Sequence, residues 1–246
     1  MSEYLLPIVF AIIAALFACV GQAGGAGYVG IMGLFGFDAG AIKSTALSLT
    51  VLVAAIGAYR FHNAGFLKWR DWYPFALLGA PFSVIGGALQ LPGTAYRIVV
   101  AILLLAAAIQ MVRSAKGSDD LDARALSEPP FLPAVLWGAA IGFVAGITGV
   151  GGGIFLAPLM LSLNWATTKR VAAAAQINNL YTATSAFAGV WAVHLTIPSQ
   201  LPWWATAAAI GGVFGSWLGA KHLPATTLRY LLAAILFVSG VKLLLG

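Results

Sequence analysis

Two glycine-rich segments, and the polar residues near them, are the parts of this sequence equipped for chemistry. "GQAGGAGY" runs from Gly21 to Tyr28 and "GITGVGGGIFLAPL" from Gly146 to Leu159. Each glycine in a helix costs about 1 kcal/mol relative to alanine. Clusters in apolar surroundings therefore predict turns. Irregular backbone at membrane depth survives only where protein or a water-filled cavity satisfies its polar groups. The helical arms after the turns are expected to begin near Ala26 and Gly152. Their first N–H groups and the positive end of the helix dipole favour an anion. The turn residues expected to bind it are Gln22, Gly24, Gly25 and Gly27 in the first cluster, and Thr148, Gly149, Gly151, Gly152 and Gly153 in the second. Glycines four apart, such as Gly149 and Gly153, can instead serve only close helix packing. The presence of two clusters favours the turn.

Neighbouring apolar segments add neutral donors. "AAAAQINNLYTATSA" carries Gln176, Asn178, Asn179 and Thr182, and "KSTALSLT" carries Ser44, Thr45, Ser48 and Thr50. Amides and hydroxyls bind oxyanion oxygens without the cost of burying a charge. Helical spacing lets Gln176, Asn179 and Thr182 share a side, and turns Asn178 about 100° from Asn179. No Lys or Arg is expected in the middle of a span, so the anticipated anion site has no cationic side chain. Asp38 is expected to cap a helix or face solvent, with ion coupling as its alternative role. His62 and His194 fall at span ends, and Trp203 and Trp204 suggest an aromatic belt.

The elements that must hold these residues are membrane helices. The chain has 246 residues, 61% hydrophobic and 8% charged, with mean hydropathy +0.95. Soluble domains carry about 25% charged residues. An all-α polytopic membrane protein follows. The net charge of +6 is spread over the connections, with no basic stripe. That excludes nucleic acid as a partner and points to the lipid bilayer. One cysteine, Cys19, excludes an internal disulfide. The first segment contains Glu3 and no Lys or Arg, which suits a retained span better than a signal peptide. No carboxylate pair, His cluster, HExxH or GxSxG falls within a span, so an enzyme is not expected. No cofactor is implied.

A polar stretch, "SAKGSDDLDARALSEPP", separates a first membrane repeat at 1–113 from a second at 131–246, with 114–130 as linker. Pro92 and Pro224, Arg97 and Arg229, Trp72 and Trp204, and Gly79 and Gly211 are all 132 residues apart. The glycine clusters align at 125, which sets Gln22, Ala26 and Tyr28 opposite Ile147, Gly151 and Gly153. If each glycine region crosses the membrane once, Lys and Arg divide almost evenly between the two sides. If each folds back, Arg60, Lys68, Arg70, Arg113, Lys116, Arg124, Lys169, Arg170, Lys221 and Arg229 share one side. Lys43, Arg97 and Lys242 remain on the other. The positive-inside rule selects the second arrangement. The expected fold is two inverted repeats, each a glycine-tipped broken or re-entrant hairpin plus three transmembrane helices. The linker is then cytoplasmic and both termini outside, in a bacterial-type inner membrane.

"GFVAGITGVGGGIFLAPLML", its following polar helix and the degenerate copy "ACVGQAGGAGYVGIMGLFGF" resemble the sulfite exporter TauE/SafE family, over Leu5 to Leu245. The resemblance implies transport of small sulfur-containing or organic anions such as sulfite and sulfonates. An anion leaving a cell that is negative inside gains about 2.3 kcal/mol per charge per 100 mV. Export by alternating access without a coupling ion is therefore expected. An anion channel and a proton- or sodium-coupled importer, with Asp38 as coupling residue, are the alternatives. A homo-oligomer is compatible with either direction.

Overall fold

The computed structural model describes residues 2–116, 127–193, 196–219 and 225–245. Residues 117–126 of the linker, His194, Lys221 and Pro224 lie outside the described residues. Among those described, all regular structure is helical. The helices are α1 (Ser2–Cys19), α2 (Gly25–Leu34), α3 (Ala39–Asn63), α4 (Tyr73–Ala88), α5 (Gly93–Lys116), α6 (Phe131–Thr148), α7 (Gly153–Ser162), α8 (Thr168–Val193), α9 (Leu201–Gly219) and α10 (Ala225–Leu245). Ala39–Asn63, Gly93–Arg113 and Phe131–Thr148 are long and apolar enough to cross a bilayer.

Small residues set the packing. Lipid removes the hydrophobic drive between helices, so close backbone approach becomes the main attraction. A methyl added at Gly142 of α6 would lie 2.1 Å from the Gly79 carbonyl oxygen of α4. Gly138 and Gly146 meet Phe75 and Ser83 in the same way, so α6 and α4 run parallel. Gly211 and Gly215 of α9 likewise meet Ala11 and Ala15 of α1. Beyond these two pairs, the most extensive contacts join α5 to α10, α4 to α8 and α3 to α8. Trp204 belongs to the core rather than a belt: it is 2% exposed, edge-on to Phe10 and Phe37. Trp203 remains exposed, as expected of an interfacial residue.

Contacts identify the two ends of the bundle. At one end Lys169 Nζ sits 5.3 Å from the Phe66 ring centre. Arg170 there forms a two-pronged pair with buried Asp71, its Nε donating at 2.8 Å. At the other end Lys242 donates to the Leu34 carbonyl at 2.9 Å. Asp38 caps α3 there, accepting from Ala41 N at 2.9 Å.

The glycine turns differ from expectation in register. Gly21, after α1, lies against Ala172 near the start of α8. Gly149, after α6, lies against Lys43 near the start of α3. Both first arms are 18 residues long, about 27 Å of helix. The ten-residue α2 and α7 then double back about 15 Å. Gly21 (φ +75°) and Gly149 (φ +76°) close the first arms, while Gly25 and Gly153 open the second ones. The structural register is therefore 128, not 125. "GQAGG" corresponds to "GVGGG", and Gly25 rather than Tyr28 stands opposite Gly153.

Candidate functional site

The two turns meet in the middle of the bundle. A methyl on Gly25 would lie 1.9 Å from the Val150 carbonyl oxygen. Gln22 Nε2 donates to the Gly153 carbonyl at 3.2 Å. Gln176 Nε2 donates to the Gln22 carbonyl, also at 3.2 Å. Helix α8 thus ties the first turn to the second. Gln22, Thr148, Gln176, Asn178, Asn179 and Thr182 are all buried.

In the second turn, α8 already bonds two backbone N–H groups. Gly153 N donates to Asn179 Oδ1 at 2.7 Å, and Gly152 N to Thr182 Oγ1 at 3.1 Å. The expectation that these N–H groups stand free for an anion is corrected: Asn179 and Thr182 cap α7. Thr182 also donates to the Asn178 carbonyl at 2.6 Å. Asn178 and Asn179 are 100° apart on their helix, yet both reach the turn. A methyl on Gly152 would meet Asn178 Nδ2 at 2.4 Å, and one on Gly151 would meet Asn179 Oδ1 at 2.8 Å. Asn178 Oδ1 accepts from Tyr181, while its Nδ2 has no partner. Thr148 donates to Val144 O at 2.7 Å, and its own carbonyl accepts from Tyr96 OH at 2.8 Å.

Unpartnered hydroxyls stand beside the first turn. Gly24 (φ +86°) precedes α2. Thr50 Oγ1 lies 2.8 Å from where a Gly25 methyl would stand, and the Tyr28 hydroxyl 2.9 Å from a Gly24 methyl. Both hydroxyls are fully buried without a partner. Ser44 Oγ, Thr45 Oγ1 and Gln176 Oε1 are likewise buried and unpartnered. Buried polar atoms normally find partners, so each of these five side chains has unspent bonding capacity. Two expected site residues fall away from it. Ser48 donates back to Ser44 O at 2.8 Å. Gly27 faces Ile13 and Phe17 of α1, where it serves packing.

One residue was missed by the sequence reading. Lys43 is 7% exposed, in a helix read as having no buried cation. Its Nζ donates to the carbonyls of Gly86, Gly87 and Leu89 at 3.0, 2.8 and 3.0 Å. Asp38 was the available signal: a cap there starts the helix at Ala39 and carries Lys43 one turn inside. Asp38 itself is the cap it was expected to be.

Similarity to known proteins gives the family. The family described as Sulfite exporter TauE/SafE matches residues 6–243. The chain belongs to that family. It is 46% identical over 239 residues to "Probable membrane transporter protein y4hK" of Sinorhizobium fredii, covering 97% of both chains. It is 25% identical over 262 residues to "Probable membrane transporter protein MJ0441" of Methanocaldococcus jannaschii, covering 98% of this chain and 95% of that one. No solved structure matches the chain. This TauE/SafE protein is therefore a helical membrane protein of a transporter family.

Proposed function

We propose that the protein exports a small oxyanion, such as sulfite, a sulfonate or a related organic anion, across the cytoplasmic membrane by alternating access. The observation that carries this reading is the meeting of two glycine turns beside buried, unpartnered hydroxyl and amide groups. Donors from Thr50, Tyr28, Ser44, Thr45 and Asn178 suit anion oxygens. The family membership and the names of the relatives favour transport over catalysis.

The inverted repeat belongs to the same proposal. Exchanging α1–α5 with α6–α10 turns the α1–α9 pair into the α6–α4 pair, and returns α3–α8 and α5–α10 to themselves. Interleaving of that kind is what two halves related by a pseudo-two-fold axis produce, as in secondary transporters. A single crossing of the glycine regions would separate Lys169 from Phe66 and Lys242 from Leu34. Their contacts support the folded-back arrangement. The positive-inside rule then assigns the Arg170 end to the cytoplasm.

Flux of sulfite and sulfonates from liposomes tests the function. A carrier saturates and shows counterflow; linear flux without counterflow identifies a channel. Flux that requires a proton or sodium gradient identifies the coupled importer. Reporters fused at Ser114 and after Gly246 are expected in opposite compartments, and a shared compartment overturns the topology.

A further inference from the structure

Lys43 reaches its three carbonyls at the inner wall of a cavity of about 220 Å³ between α3, α4, α5 and α8. Asp38, Gln90, Tyr96 and Thr196 line the rest of its polar surface. The cavity opens at the end of the bundle opposite the Arg170–Asp71 pair. Two of its residues also touch the second glycine turn. Tyr96 OH donates to Thr148 O at 2.8 Å, and the Lys43 backbone packs on Gly149.

The carbonyls of Gly86, Gly87 and Leu89 converge on one point at 2.8 to 3.0 Å. They belong to the last turn of α4 and the residue after it, the negative end of the helix dipole. Such a cluster is a cation site, and the chain fills it with its own ammonium. Burying a charge is costly unless it is well bonded, and these three bonds hold the ammonium in place. A fixed positive charge in the wall of a cavity draws anions into it.

We propose that Lys43 is a tethered cation that makes this cavity the receiving site for a small oxyanion, next to the second glycine turn. The idea rests on the transport reading above and adds a second station to the path. Asp38 at the mouth opposes the ammonium and keeps the station weak enough for the anion to leave.

The test is a series of charge changes read by saturable sulfite flux in liposomes, with melting temperature measured alongside. Lys43→Met is expected to raise KM about tenfold or more, and Lys43→Arg to restore most of that loss. Gln90→Glu, at an exposed position, should raise KM about threefold through an added negative charge, with melting unchanged. Asp38→Asn keeps a capping side chain and should lower KM by a similar factor. If Lys43→Met fails to fold, the two surface changes still decide. Wild-type protein that saturates while Gln90→Glu and Asp38→Asn both leave KM unchanged overturns the tethered-cation site alone. Wild-type protein without saturable sulfite flux overturns the transport reading together with this one.

Discussion

The two glycine turns share one backbone design and differ in what surrounds them. Each long arm ends at a glycine of positive φ, and each short arm begins four residues later. Around the second turn, Asn179 and Thr182 bond the first N–H groups of α7. Around the first, Thr50 and Tyr28 keep unpartnered hydroxyls. The richer motif is the finished one. The degenerate copy is the one with bonding capacity to spare.

The comparison yields its largest effect at the point where the turns touch. Gly25→Leu should abolish flux, because the Val150 carbonyl in its way is backbone. Gly152→Leu should do less damage, since Asn178 and Ile141 side chains can shift. Gly93→Leu, with open space around it, is the neutral control. Gly87 cannot serve as one, because it is packed on Ala186 O and bonds Lys43. Equal flux in Gly25→Leu and Gly93→Leu liposomes would break the account of the central contact.

Next in size is Asn179→Ala. It leaves Gly153 N–H buried and unpaired, a cost of about 1–3 kcal/mol. A clear fall in melting temperature is expected. The sharpest test pairs two threonines that occupy related places. Thr182→Val should destabilise by about 1 kcal/mol, because it removes a made hydrogen bond. Thr50→Val has no bond to lose, so melting should hold while KM for the anion rises severalfold. If Thr50→Val melts as early as Thr182→Val, the first turn is no freer than the second. The smallest effect belongs to Ser48→Ala. Its hydroxyl is spent on Ser44 O, so flux and melting should both match wild type.

Much of this was legible because it depends on local chemistry. Apolar runs predict helices, glycine clusters predict breaks, and Asp38 predicts a cap. Both turns appear where the clusters stand. Their register was not legible. The 125 alignment matched glycine to glycine, whereas the structure matches the residues that end and begin helices. Trp204 was misplaced for a related reason: a tryptophan near a span end looks interfacial until Phe10 and Phe37 enclose it.

By itself the sequence determined the membrane class, the family, the two turns and the neutral donors available to them. Those follow from composition, spacing and backbone preference, which act within a few residues of each position. Only the tertiary structure decided that Asn179 and Thr182 spend their oxygens on α7, that Thr50 and Tyr28 keep theirs, and that Lys43 lies buried against α4. A hydrogen bond between distant segments depends on where two helices cross. Crossing is set by small-residue packing across the bundle, which no single stretch of sequence contains.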